Sequence, residues 1–152
     1  TFHDQDQEMY FATGRDMTRK AFNHAFNVRH IQELVGRVFA QRVTIHDGDT
    51  ELAPGLTLHL IGGHTRGLQV VRIETGNSVV VLASAASHYS ANMNEGRPFP
   101  IVDDLSKMIQ GWETLKELAG PEGVIVPGHD PLVFDQFPPS SPGLEGIAVR
   151  LD

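Results

Sequence analysis

Two histidines in this chain stand in the same setting, each just after an apolar run and inside a glycine-bearing turn. The first lies in Gly62-Gly63-His64-Thr65 and the second in Val126-Pro127-Gly128-His129-Asp130. Between them an apolar run, Val79-Val80-Val81-Leu82-Ala83-Ser84, ends in Ala85-Ala86-Ser87-His88-Tyr89. Imidazoles carried by loops at strand ends are the usual parts of a buried metal site, and glycine there permits positive φ and close backbone approach. His64 and His129 are therefore candidate metal ligands. His88 and Tyr89 are candidates to donate a proton to a carbonyl beside a metal, or to polarise it. Asp130 can fix the tautomer of its neighbour His129, and Thr65 is the corresponding support beside His64.

Each of these has a plainer reading. His64 can be a turn histidine hydrogen-bonded to backbone. Pro127, Gly128, Asp130 and Pro131 are all turn formers and suit a solvent-exposed loop. Tyr89 can simply pack, with His88 solvated. His3, His24, His30, His46 and His59 lack a comparable context: His59 is expected to alternate outward on its strand, and His46 with Asp47-Gly48-Asp49 reads as turn chemistry. Asp4, Asp6 and Glu8 form an acidic run too loosely spaced for a calcium site.

The elements that must position these residues follow from periodicity. Asp4 to Phe26 reads as helical and polar, broken at Gly14, with Met9, Tyr10, Phe11, Met17, Phe22 and Phe26 supplying apolar contacts. Ile31, Leu34, Val35, Val38 and Phe39 recur at i, i+3, i+4, i+7 and i+8, the pattern of an amphipathic helix. Strands are expected at Val43–His46, Leu56–Ile61, Leu68–Thr75 and Ser78–Ala83, the last two joined by a two-residue turn at Gly76-Asn77. Asp103 or Asp104 can cap a second helix whose apolar face is Leu105, Met108, Ile109, Trp112, Leu115 and Leu118. Gly120-Pro121 ends it, and Val124-Ile125-Val126 makes a short buried strand before Gly128-His129. Helix, hairpin-connected strands, helix and strand in that order imply a mixed sheet with helices on one face, α/β or α+β. The near-continuous apolar character of Leu56 to Ala83 implies cover on both faces of that sheet, and this chain supplies few helices to provide it.

Composition sets outer bounds. The 152 residues suffice for one domain with a core of its own, here residues 1–152 with a Pro-rich tail over 137–152. A formal net charge of −7 argues against nucleic acid or an anionic membrane as partner. No apolar run approaches the roughly 20 residues that span a bilayer, and no signal-peptide pattern opens the chain, so a cytoplasmic location is expected. The chain has no cysteine, which excludes disulfides and thiolate ligation. Eight histidines against two tyrosines and one tryptophan suit imidazole ligation. The chain opens on Thr1 directly into a structured-looking segment, and that end reads as processed or cut.

Taken together, Gly62-Gly63-His64-Thr65-Arg66-Gly67-Leu68-Gln69, the strand and turn from Val79 to Tyr89, and Pro127-Gly128-His129-Asp130 resemble the C-terminal part of a metallo-β-lactamase-fold hydrolase. The type is the N-acyl-homoserine lactonase, a quorum-quenching enzyme, with the 4-pyridoxolactonase branch close by. The leader from Asp47-Gly48-Asp49 to Ala53-Pro54-Gly55-Leu56 fits the strand preceding the first motif. The resemblance implies an αββα sandwich, of which this chain is a C-terminal fragment, and a two-zinc site at one edge of it. By position, His64 would bind one zinc and His129 the other, while Ala85 falls where the family has the aspartate that bridges both. His88 falls where acyl-homoserine lactonases commonly place a tyrosine against the lactone carbonyl or leaving group. Leu68 replaces a histidine frequent in related enzymes. The implied activity is opening of a small-molecule lactone by a metal-bound hydroxide. The family's His-x-His-x-Asp-His motif would lie upstream of Thr1, so a homo-oligomer or a complementing N-terminal half is expected to complete the site. Alone, the chain is expected to be inactive. Two other functions stay open: a non-catalytic domain that binds a small acyl ligand or a protein, and a thioester hydrolase in the manner of glyoxalase II.

Overall fold

The computed structural model describes residues 1–151; Asp152, at the end of the Pro-rich tail, lies outside the described residues. The chain runs through β1 (Phe2–Gln5), α1 (Asp6–Thr13), a 3-10 turn (Arg15–Thr18), α2 (Lys20–Asn23), α3 (Val28–Phe39), β2 (Val43–His46), β3 (Thr50–Ala53), β4 (Leu56–Leu60), β5 (Gln69–Glu74) and β6 (Val79–Ser84). It continues through α4 (Ser90–Glu95), α5 (Leu105–Ala119), β7 (Val124–Pro127) and α6 (Val133–Gln136). A five-stranded mixed sheet has the order β3-β4-β5-β6-β7, antiparallel except for the parallel β6–β7 pair. A separate parallel pair, β1–β2, aligns Phe2 with Val43 and Gln5 with His46.

The expected helical run from Asp4 is corrected at its start, because Phe2–Gln5 is a strand. Its partner lies about forty residues away, so local periodicity carries no trace of it. Gln5, fully buried, locks the arrangement: its side-chain nitrogen donates to Gly48 O and to Gln69 Oε1, and its Oε1 accepts from Gly48 N. Between Gly14 and Phe26 the expected helix gives way to the 3-10 turn and the four-residue α2. Phe11, 2% exposed, takes Phe22 and Phe26 edge-on, with ring centroids 5.8 and 5.7 Å away.

The remaining expected strands and both longer helices form. The Gly76-Asn77 turn is closed by Thr75 N donating to Ser78 O at 2.8 Å, while Thr75 Oγ1 accepts from Ser78 N. Asp104, not Asp103, caps α5, accepting from Lys107 N at 3.0 Å. The buried face of α5 is Met108, Gly111, Trp112, Leu115 and Ala119; Leu105 and Ile109, expected on it, are exposed. This face packs with Val70, Val81 and Ala83 of the sheet and with Ala86, Met93 and Phe99. Leu58 and Val80 are buried as well, and alternation turns them to the opposite face, so the sheet is covered on both sides there.

Cover fails elsewhere. No residue of α3 is buried, and Phe39 on its apolar stripe is 86% exposed. Val124, Ile125 and Val126 are only half-buried because β7 is an edge strand. His59 is not free to solvent: its Nδ1 pairs with Asp49 Oδ2 at 2.7 Å and its Nε2 with Thr57 Oγ1. His46, expected in turn chemistry, ends β2 and shares a 2.9 Å hydrogen bond with His3. No helix among the described residues is long and apolar enough to cross a membrane.

Candidate metal centre

His64 lies in the turn from Ile61 to Leu68 that joins β4 to β5. Leu68 O accepts from both Ile61 N and Gly62 N and closes the turn. Gly62 and Gly63 have φ of 72° and 85°, a region that favours glycine. Gly63 also lies flat against the first turn of α5, where an added Cβ would sit 2.6 Å from Met108 N. Its carbonyl accepts from Asp103 N and Asp104 N at 2.9 Å, which fixes the turn to the helix start. The His64 ring is oriented by a 2.8 Å hydrogen bond from Nδ1 to Ile101 O. A carbonyl only accepts, so Nδ1 carries a proton, and in the neutral ring Nε2 then keeps its lone pair. The backbone-bonded reading of His64 and the ligand reading are thus compatible, since a metal-ligating histidine normally spends its other nitrogen this way.

His88 follows β6. Its ring stacks on Phe99 with centroids 3.6 Å apart, and stands edge-on to His129 at 4.5 Å and to His64 at 5.5 Å. Burial, then the neighbouring His129 and His64, lower its pKa to about 4, so the ring is neutral at pH 7. Trp112 Nε1 donates to Ala86 O at 2.8 Å and holds the strand end against α5. The loop after β7 is tied to the same segment: Gly128 N donates to Ser87 O and His129 N to His88 O. His129 itself is exposed. Asp130, 8% exposed, accepts from Ser90 N at 2.8 Å and from Leu132 N at 3.1 Å. Those backbone donors, Ser90 first, hold its carboxyl below the usual range. Tyr89, at the start of α4, is 48% exposed. Thr65 is buried and hydrogen-bonds Glu8, whose Oε2 also accepts from Gly67 N at 2.8 Å. Arg66 pairs with Asp16 and Asp103 and lies over the Phe11 ring.

The three imidazoles His64, His88 and His129 therefore share one patch at the ends of β4, β6 and β7, while Tyr89, Asp130 and Thr65 border it. Phe99 and Glu8 were not singled out from sequence. Nothing in a lone phenylalanine signals stacking on a distant histidine, and Glu8 looked like one member of an acidic run. That run is not a cluster: Asp6 is exposed, and Asp4 lies on β1.

The fold has counterparts among solved structures. The chain matches an N-acyl homoserine lactone hydrolase solved with the product N-hexanoyl-L-homoserine at its catalytic metal centre, with a TM-score of 0.70 and 26% identity over 88% of this chain. A B. thuringiensis AiiA variant with N-decanoyl-L-homoserine at its active site matches equally, again at 0.70 and 26% over 88%. AidC, a dizinc quorum-quenching lactonase, shares the fold with a TM-score of 0.63 and 18% identity. The fold is that of about half of a metallo-β-lactamase-fold lactonase, since this chain spans 48% of the first two structures and 47% of the third. No protein-family model matches the sequence, and no curated protein does.

The donor set does not by itself fit the two-metal centre that this likeness implies. Among the described residues no group of three or more histidine, aspartate or glutamate side chains is arranged to hold a metal ion. Ala85, half-buried beside Ser84 at the strand end, carries only a methyl and offers no atom that could ligate a metal.

Proposed function

We propose that this chain is part of a metal-dependent hydrolase of lactone esters, in which His64 and His129 each supply one imidazole and the other ligands come from residues outside this chain. A complementing N-terminal half or a second copy would supply them. The observation that carries the reading is the convergence of His64, His88 and His129 at one strand-end patch in a fold that matches about half the length of a solved lactonase. Within that site the chain's own residues bind and orient. His88, neutral at pH 7, can donate a hydrogen bond to a lactone carbonyl or to its leaving oxygen from whichever ring nitrogen carries the proton. Tyr89 is exposed at the border of the patch, within reach of solvent and of an incoming ring. Asp130 holds the His129 loop against the start of α4, and Thr65 supports the His64 turn.

A second reading, a non-catalytic domain that binds a small acyl ligand or a protein, is favoured by Ala85. The two are separated by fusing the chain to the N-terminal half of a matching lactonase, with Ala85→Asp, and following homoserine-lactone opening by proton release. Turnover above the metal-free control supports the hydrolase; its absence at full zinc loading leaves the binding domain. Rates on a glutathione thioester measured alongside distinguish a glyoxalase II-type enzyme.

A further inference from the structure

The turn that carries His64 is gripped from two sides. On one side stands the start of α5, through Gly63 O and through the Ile101 carbonyl that orients the ring. On the other side stands α1, which approaches so closely that a Cβ on Gly67 would overlap the Glu8 backbone nitrogen and Cβ. At that contact Glu8 Oε2 accepts from Gly67 N at 2.8 Å, and the carboxylate also takes the Thr65 hydroxyl. Two donors, one immediately after His64 and one three residues on, are thus held by a single side chain.

We propose that Glu8 is a positioning residue for His64, seating the imidazole through Thr65 and Gly67 rather than by touching it. This rests on the reading of His64 as a metal ligand. A packing role alone does not call for a carboxylate. Burial disfavours the charged form of Glu8 and raises its pKa, and Asp4 adds like-charge repulsion, whereas a methionine would fill the space without either cost. What only the carboxylate supplies is two acceptor oxygens for two fixed donors, with a negative charge that His64 feels.

The test compares wild type, Glu8→Met, Glu8→Gln and Thr65→Val in the full chain. The first readout is the 15N signature of each histidine ring in metal-free protein; the second is the affinity for zinc ion added alone. Glu8→Met, which keeps the volume and loses the acceptors, is expected to mix the His64 tautomers and leave the His129 ring unchanged. Its zinc affinity should fall about tenfold, the lower end of what losing an outer-shell support costs. Glu8→Gln keeps one acceptor, for Gly67 N, and loses the second acceptor and the charge, so its ring signature should lie between those of wild type and Glu8→Met. An unaltered His64 ring in a folded Glu8→Met chain overturns the proposal. If Glu8→Met does not fold, an unaltered His64 ring in Thr65→Val does so instead. Zinc binding too weak to measure in the isolated wild type, which lacks the ligands assigned to residues outside the chain, leaves the ring signatures of the metal-free chain to decide the role of Glu8, while the ligand reading stands or falls with the completed enzyme.

Discussion

Replacing Gly63 with alanine tests whether the candidate centre is built on the contact between the His64 turn and α5. At φ 85° an L-residue gives up about 1–2 kcal/mol relative to glycine. The added methyl also meets helix backbone, 2.6 Å from Met108 N and 2.7 Å from its Cα, where nothing can rotate away. Overpacking of that kind costs about 1–3 kcal/mol. The sum, about 2–5 kcal/mol, is a large share of the 5–15 kcal/mol that ordinarily holds a small domain together. Urea unfolding followed through Trp112 fluorescence and circular dichroism measures it, with Gly36→Ala as control. Gly36 lies inside α3 with nothing within 4 Å of an added Cβ, so its replacement should stabilise the chain by about 0.5–1 kcal/mol. A Gly63→Ala chain within about 0.5 kcal/mol of wild type, against the sum above, would refute a rigid seat for His64.

Three further outcomes are expected. Because folded His88 resists protonation down to about 4 while the unfolded ring takes its proton near 6.5, the unfolded chain binds more protons between those values. Stability therefore falls as pH drops from 6.5 to 4, by about 1–2 kcal/mol once solvent screening of the partly exposed ring is allowed for. His88→Phe, which keeps a ring against Phe99, should remove that loss; the difference between the two unfolding curves isolates it from Asp4 and Glu8, whose raised pKa values act in the opposite sense. Trp112→Phe should cost about 1–3 kcal/mol in chemical unfolding, because it leaves the buried Ala86 carbonyl without its donor. Asp104→Ala should cost about 0.5–2 kcal/mol by loss of the α5 cap, seen as a lower melting temperature; an unchanged melting temperature would mean that Asp103 takes over the cap.

Much of this arrangement was legible in the sequence because it is local. The period of α3 and α5, the Gly76-Asn77 turn and the glycines around His64 each announce themselves within a few residues. β1 escaped because its partner is remote and its own residues, Phe-His-Asp-Gln, carry no alternation. β3 shows no period of its own inside a polar turn-rich leader and is expected there only through the family resemblance, and α4 and α6 are too short for a period to show. In α5 the apolar pattern was wider than the stripe that packs, so Leu105 and Ile109 were assigned to a face that does not reach the core. The convergence of His64, His88 and His129 could be suspected from their matching turns. The stacking of Phe99 on His88 and the reach of Glu8 to Gly67 depend on tertiary geometry alone.

The stretch between Met93 and Phe99 has a consequence for how such a domain can change over generations. Met93 and Phe99 are both buried, and every residue from Asn94 to Pro98 is exposed. Phe99 touches His88, so this short excursion borders the imidazole patch while lending it no group of its own. Exposed tips tied at both ends accept insertions far more readily than packed segments do. Lineages, or a laboratory grafting experiment, can therefore lengthen this tip into a roof over the patch and shorten it again without moving the three rings. Selectivity at such a centre can drift while its histidines stay where α5 and the sheet put them.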